Sequence, residues 1–432
     1  MTPAARLSAA IEVLAEIDAK KRPAPDALRE WGQTHRFAGS GDRGAIGSLV
    51  FDALRRRASS AWIMGAETPR AVLFGALKLA RGMSVEEISK LADGSRFAPE
   101  PLSDDEKKRL ESGSLEDAPP HIAGDYPEWL DSYFAAGFGD ERVEEGVALA
   151  ARATLDLRVN SLKFNRDKVT KELSHLEPAP ARWSPLGLRI QLLNDGRQPP
   201  VTSEPSFLAG EFEVQDEGSQ LAALFAGAKP GEQVLDLCAG AGGKTLALAA
   251  IMENKGQLFA FDSDLRRLAP IHERLTRAGA RNIQVRSPRK KLDVLADLEG
   301  TMDLVLLDAP CTGTGVWRRH PDAKWRIRPG ALEIRLREQT ALLNEALRFV
   351  KPGGRIAYIT CSMLDVENGA QIRAFVERNP SFEIVAPSEI VKALGENAMI
   401  FAHAAKLSDE GIQMTPRRTG TDGFFVSVLK RN

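Results

Sequence analysis

Apolar positions at helical spacing open the chain, with Leu7, Ile11 and Leu14 recurring every three or four residues. Comparable runs follow at 26–31, 46–57, 71–79 and 85–91, so residues 1–98 are expected as an all-α domain. The stretch 99–120 carries SDDEKKRLESGSLEDAPP; it is charged, bounded by prolines and poor in large apolar residues, and reads as an exposed linker. Two further helices are expected at 126–138 and 141–151. Short strands at 155–160, 182–183 and 188–193 then surround a helix at 167–176, so 121–205 reads as a small α+β module. From Glu213 the pattern changes. Apolar β-rich runs at 234–237, 258–261, 283–286, 304–307 and 356–360 alternate with helical ones at 265–277, 332–350 and 370–378. The Lys351-Pro352-Gly353-Gly354 breaker stops the second of these helices, and a last strand is expected at 424–429. Buried strands alternating with helices predict an α/β domain with a doubly wound, mostly parallel sheet over 206–432.

Composition narrows the class. At about 150 residues per domain, 432 residues imply two or three domains, and 43% hydrophobic with 27% charged is ordinary globular usage. Apolar stretches fall short of the roughly 18–20 residues of a bilayer span. Glu12, Glu16 and Asp18 interrupt the region where a signal peptide would be apolar, and a cytoplasmic protein is expected. Cys238, Cys311 and Cys361 form no CxxC pair and have no histidine at zinc-ligand spacing, which argues against a disulfide scaffold and a metal site. Net charge is −1, so any nucleic-acid surface must come from local clustering.

The candidate chemistry lies at strand ends. The first strand of the parallel sheet runs into Asp236-Leu237-Cys238-Ala239-Gly240-Ala241-Gly242-Gly243-Lys244-Thr245, a glycine-rich turn before a helix that lets the backbone approach a nucleotide. It is not a phosphate-binding GxxxxGK[ST] loop, because Cys238 stands where the first glycine would be. The second strand ends at Asp262, placed to accept from a ribose diol, with Arg267 about one helical turn further on. The fourth ends in Leu307-Asp308-Ala309-Pro310-Cys311-Thr312-Gly313, the fifth in Ile359-Thr360-Cys361-Ser362. Cys238, Asp262, Asp308 and Cys361 thus all fall on the rim where open α/β sheets bind ligands.

DLCAGAGGKT, LLDAPCTGTGVWRRHPDAKW and ITCSMLDVEN resemble the signatures of S-adenosylmethionine-dependent RNA cytosine methyltransferases of the Nol/Nop/Sun family. The resemblance covers roughly 120–432, including Arg158-Val159-Asn160-Ser161-Leu162-Lys163 and Val214-Gln215-Asp216-Glu217-Gly218-Ser219-Gln220. It implies a Rossmann-like class I methyltransferase domain. The helical N-terminus is similar to the NusB-like RNA-binding domain of the Sun/Fmu subgroup, which modifies small-subunit (16S) ribosomal RNA. By this resemblance Cys238 to Lys244, Asp262 and Asp308 would line the S-adenosylmethionine site, joined by Arg267. Cys361 would be the nucleophile, Cys311 the thiol that assists product release, and Asp308 an acid beside the base. Two departures stand out. Gly240-Ala241 replaces the usual Ala-Pro, and Ser287 stands where the family has a carboxylate that holds the adenine amino group.

The proposed reaction needs these residue types. Carbon 5 of cytosine becomes nucleophilic only once a thiolate has added to carbon 6. The proton on carbon 5 must then leave and the sulfur–carbon bond must break, which suits a second thiol. The base must leave any stack, so the partner is expected to be unpaired or flipped RNA; a monomer suffices, without membrane or metal. The run Trp317 to Arg328, with five Arg or Lys and two Trp, is expected to line a single-strand channel. Arg286, Arg289, Lys290, Lys291 and Arg55 to Arg57 are candidates to extend it. A transfer-RNA enzyme of the same chemistry, or an assembly factor with little catalysis, are the alternatives at this point.

Overall fold

The computed structural model describes residues 1–193 and 196–432. They form two compact units: residues 1–152 with 193–197 and Trp317–Arg328 in one, and 153–192, 198–316 and 329–432 in the other.

The first unit is helical. Each helix is set by local chemistry: Thr2 and Thr68 cap helices Pro3–Lys20 and Pro69–Arg81, each with proline in the first turn, and Gly82 ends the latter in the left-handed region. Leu7, Val13, Leu14, Ile46, Val50, Phe74 and Leu77 meet in its core. The stretch expected as a linker is part of this core. Ser103 and Glu106 form a reciprocal capping box that starts helix Asp104–Ser112, and Leu102 and Leu110 are buried against the other helices. Burying a leucine stabilises by about 1.5–3 kcal/mol, enough to dock a short charged helix. Helices Asp131–Phe138 and Arg142–Leu149, expected with the α+β module, also belong to the helical unit.

In the second unit, β1 (Leu155–Val159), β2 (Ala179–Pro180), β3 (Gly187–Ile190) and β4 (Phe212–Val214) make a small antiparallel sheet in the order β2-β3-β1-β4. The expected strand at 182–183 is a bend; pairing occurs at β2 instead. The larger sheet contains β5 (Gln233–Asp236), β6 (Gln257–Phe261), β7 (Ile283–Arg286), β8 (Met302–Asp308), β9 (Val350–Thr360), β10 (Phe382–Ile384), β11 (Lys406–Leu407), β12 (Ile412–Met414) and β13 (Phe424–Arg431). Its order is β11-β12-β13-β9-β8-β5-β6-β7, with β10 beside β13. Strands β5 to β9 pair in parallel, while β13 returns antiparallel to β9. Alternation along the strands feeds two cores, Val234, Leu304 and Ile359 on one face and Leu235, Val305 and Tyr358 on the other.

Two breakers act differently from expectation. Pro270 divides the helix expected at 265–277 into Leu265–Leu268 and Ile271–Ala278. Helix Pro329–Ala346 ends before Lys351-Pro352-Gly353-Gly354; those four residues form an irregularity inside β9, whose register to β8 shifts between Met302 and Leu304. The chain passes from β5 outward to β6 and β7, then returns to β8 on the other side, so the crevice at the carboxyl end of β5 is the topological switch point. Among the described residues no helix is long and apolar enough to cross a membrane.

Candidate active site

A cavity of about 270 Å³ opens at this crevice. Leu237 and Cys238 after β5, Asp262 and Arg267 after β6, and Pro288, Arg289 and Asp293 after β7 form its walls. The glycine-rich turn is fastened to the end of β6: Ala239 N donates to Phe261 O at 2.8 Å and Gly240 N to Asp262 Oδ2 at 3.0 Å. Gly240 (φ +49°) and Gly242 (φ +85°) lie in the left-handed region, and a Cβ on Gly242 would come within 2.6 Å of Ile271. From behind, Arg274 bridges Ala241 O (2.8 Å) and Glu213 of β4 (2.9 Å).

The donor set fits an adenosine-type ligand. Asp262 is buried, accepts from Gly240 N and Asp264 N, and keeps lone pairs for a diol; Arg267 lies 3.7 Å away. Burial pushes the Asp236 carboxyl up to about 7, and its Oδ1 has no hydrogen-bond partner among the described residues. Cys238 is a cavity wall rather than a thiolate: burial, then the charges of Asp236, Asp308 and Asp262, raise its pKa well above the ordinary thiol range.

Because β8 and β9 are parallel neighbours in register at Asp308 and Ile359, the residues just past their ends converge. Cys311 Sγ and Cys361 Sγ lie 3.3 Å apart, both half-buried. Gly315 N donates to Cys361 O at 2.9 Å and ties the two loops together. The Cys311 thiol is raised well above its ordinary range, first by its bond to Cys361, then by burial and by the charges of Cys361 and Glu367. Pro310, immediately before Cys311, reaches the cavity wall. Asp308 pairs with Lys244, Nζ to Oδ2 2.6 Å; the ammonium is nearly buried and lies 5.1 Å from the Phe424 ring.

Of the residues singled out for the cofactor, Cys238, Asp262 and Arg267 line the cavity, and Ala239, Gly240, Ala241, Gly242 and Gly243 form the turn beside it. Lys244 and Asp308 stand outside that lining, joined to each other. Ser287, just after β7, is half-buried and also outside it. Sequence reasoning missed Asp293, which lines the cavity, accepts from Leu295 N at 3.0 Å and pairs with Arg348 at 2.6 Å. It also missed Glu367, although the residue stands inside ITCSMLDVEN.

The run Trp317 to Arg328 does not present its indoles as a channel. Trp317 is buried and stacks on Phe134 at 6.0 Å, and Trp325 Nε1 donates to Leu54 O at 2.6 Å. Lys324 is buried, donating to Arg55 O (2.9 Å) and Asp125 O (2.6 Å). Arg326 and Arg328 remain exposed. Arg55 to Arg57 are likewise internal ties, to Arg318 O, Asp125 and Asp18. Arg286 pairs with Asp297, whereas Arg289, Lys290 and Lys291 are exposed.

A parallel sheet with a glycine-rich turn after its first strand, an acidic residue ending the second and a cavity at the switch point defines a Rossmann-like methyltransferase. Residues 223–430 match the family model described as 16S rRNA methyltransferase RsmB/F. The chain is 30% identical over 314 residues to a probable ribosomal RNA small subunit methyltransferase B of Synechocystis, covering 71% of this chain and 67% of that protein. It is 29% identical over 412 residues to ribosomal RNA small subunit methyltransferase B of Xanthomonas campestris, covering 90% and 89%. The crystal structure of a methyltransferase homologue from Pyrococcus horikoshii superposes with a TM-score of 0.57 at 26% identity, over 72% of this chain and 98% of that one. The chain belongs to the RsmB/F family of 16S rRNA methyltransferases.

Proposed function

We propose that this chain methylates carbon 5 of a cytosine in small-subunit ribosomal RNA, with Cys361 as nucleophile. The observation that carries this reading is the pair of thiols 3.3 Å apart at the ends of adjacent parallel strands, beside the Lys244–Asp308 pair. Cys238 to Gly243 would hold S-adenosylmethionine, with Asp262 as acceptor for its ribose diol, and the bound donor would supply an electrophilic methyl group. The turn and Asp262 orient that donor, while Leu237 and Pro310 exclude water from it.

Cys361 gives a lone pair to carbon 6 of the target base, and the electrons of the 5,6 double bond become available at carbon 5. Proton demand rises at N3 during this step. The Lys244 ammonium and the Asp308 carboxylate, whose Oδ1 makes no hydrogen bond among the described residues, can donate to and accept from the base edge. After methyl transfer a base takes the carbon 5 proton, its electron pair restores the double bond, and Cys361 leaves as thiolate. Cys311, held as a protonated thiol against Cys361, can hand its proton to the departing sulfur. The helical unit serves RNA binding in this reading, as its expected likeness to a NusB domain suggests, and a ribosomal substrate goes with a cytoplasmic location.

The test is Cys361→Ala. Methyl transfer to ribosomal RNA should vanish while calorimetric binding of S-adenosylmethionine stays within about twofold, since the thiol adds to the base and holds no part of the donor. Retained turnover would mean that another group is the nucleophile.

A further inference from the structure

We propose that Glu367 is a positioning residue for both cysteines: one buried carboxylate clamps the residue following each of them and thereby sets the separation and the division of labour of the two thiols. The inference rests on the cysteine reading above, with Cys361 adding to the base and Cys311 acting as the second thiol.

Glu367 is fully buried, and four donors converge on it. Oε1 accepts from Thr312 N at 2.8 Å and from Gln339 Nε2 at 3.0 Å. Oε2 accepts from the hydroxyls of Thr312 and Ser362. Thr312 follows Cys311 and Ser362 follows Cys361, so a single side chain joins the two loops at their reactive residues. Gln339 extends the clamp by also donating to Pro310 O at 3.0 Å, which pins the other side of Cys311. The clamp is itself anchored: Tyr358 of β9 donates its hydroxyl to Glu367 O at 2.7 Å. Next along the chain, Asn368 accepts from Thr360 Oγ1 at 2.5 Å and donates to Ser362 O at 2.9 Å.

A carboxylate without water is costly unless its lone pairs are filled, and here all are taken by the loops that carry the chemistry. No salt bridge to Glu367 occurs among the described residues, so these four donors alone hold its charge. The negative charge has a second effect. It acts on Cys311 together with burial and the Cys361 bond, all in the direction that keeps the Cys311 thiol protonated. The titratable groups facing Cys311 are Cys361, Glu367 and Tyr358, and the Tyr358 hydroxyl is itself raised well above its ordinary range by burial, then by Cys311 and Glu367. Cys311 is thus denied the role of competing nucleophile and retained as a proton carrier.

The experiment compares Glu367→Gln and Thr312→Val with the wild-type full chain. Iodoacetamide alkylation of Cys311 and Cys361 is followed peptide by peptide across pH by mass spectrometry, without RNA. In Glu367→Gln the pH profile of Cys311 should move down by about one pH unit or more, because the facing charge is gone. The kcat for ribosomal RNA should fall about tenfold to 100-fold with KM little changed, as expected of misplaced reacting groups. Thr312→Val, which removes one tie and keeps the charge, should lower kcat while leaving the Cys311 profile in place. A Glu367→Gln protein whose melting point falls but whose Cys311 profile is unmoved would overturn the proposal and leave Glu367 a structural residue. So would unchanged kcat in both variants. Should Glu367→Gln not fold, unaltered kcat in Thr312→Val is enough to overturn it. The alkylation profile needs no RNA and no methyl donor, so its outcome is separate from the failure of the methyltransferase reading, which Cys361→Ala reports.

Discussion

Replacing Lys324 by methionine should abolish a specific pH dependence of stability. Burial lowers the Lys324 pKa from its ordinary 10.5 to about 7; Asp125 opposes this, and Arg56 and Arg55 add to it. At about 1.4 kcal/mol per pH unit, holding this ammonium charged inside the helical unit costs about 5 kcal/mol. The sign follows from proton counts. Between pH 7 and 10.5 the unfolded lysine is protonated and the folded one largely is not, so the unfolded state binds more protons and stability rises with pH. Between pH 7.5 and 9.5 the gain should be about 2.5 kcal/mol, and Lys324→Met should lack it. The variant also leaves the Arg55 and Asp125 carbonyls without this donor, at about 1–3 kcal/mol each, so absolute stability at neutral pH should change little in comparison. Urea unfolding read by tryptophan fluorescence is the assay, because Trp31, Trp62, Trp129, Trp317 and Trp325 all belong to the helical unit and only Trp183 to the other. Parallel pH curves for the two proteins would refute the reasoning.

Cys311→Ala should trap a covalent protein–RNA adduct, seen as a gel shift that survives denaturant, and its absence would remove the product-release role. Asp262→Ala should weaken S-adenosylmethionine binding about tenfold to 100-fold in a calorimetric titration, since it removes both the diol acceptor and the anchor of Gly240 N. Trp317→Ala should cost the helical unit about 3–5 kcal/mol, read as an earlier urea midpoint of the remaining tryptophans.

Much of the catalytic unit was legible because its signals are local and redundant. Buried strands such as 304–307 and 356–359 are apolar runs; the first ends in Asp308, a residue type a core would not choose, and the second leads through Thr360 into Cys361 within a recognisable motif. Other features depended on partners distant in sequence. Charge and flanking prolines suggested a linker at 99–120, but Ser103 and Glu106 are a capping box and Leu110 finds a core supplied by helices that precede it. The basic, tryptophan-bearing run at 317–328 has the composition of a nucleic-acid surface, yet Phe134, Leu54 and Asp125 turn its indoles and Lys324 inward. Composition cannot distinguish an arginine that meets solvent from one that meets a carbonyl. Glu367 escaped notice for the opposite reason: an acidic residue shortly after a strand is usually solvated, and only the folded loops reveal four donors aimed at it.

The chain leaves the catalytic unit just after the Cys311 loop, spends Trp317–Arg328 in the helical unit, and returns for helix Pro329–Ala346. Truncation at the boundary near residue 152 would therefore not liberate a self-sufficient catalyst. It would strip the partners from a dozen residues that lie, in sequence, between Cys311 and Cys361, among them the indole of Trp317 and the side chain of Lys324. Evolution or engineering can exchange the N-terminal half only together with that internal strip, so the two stretches should be inherited as one piece.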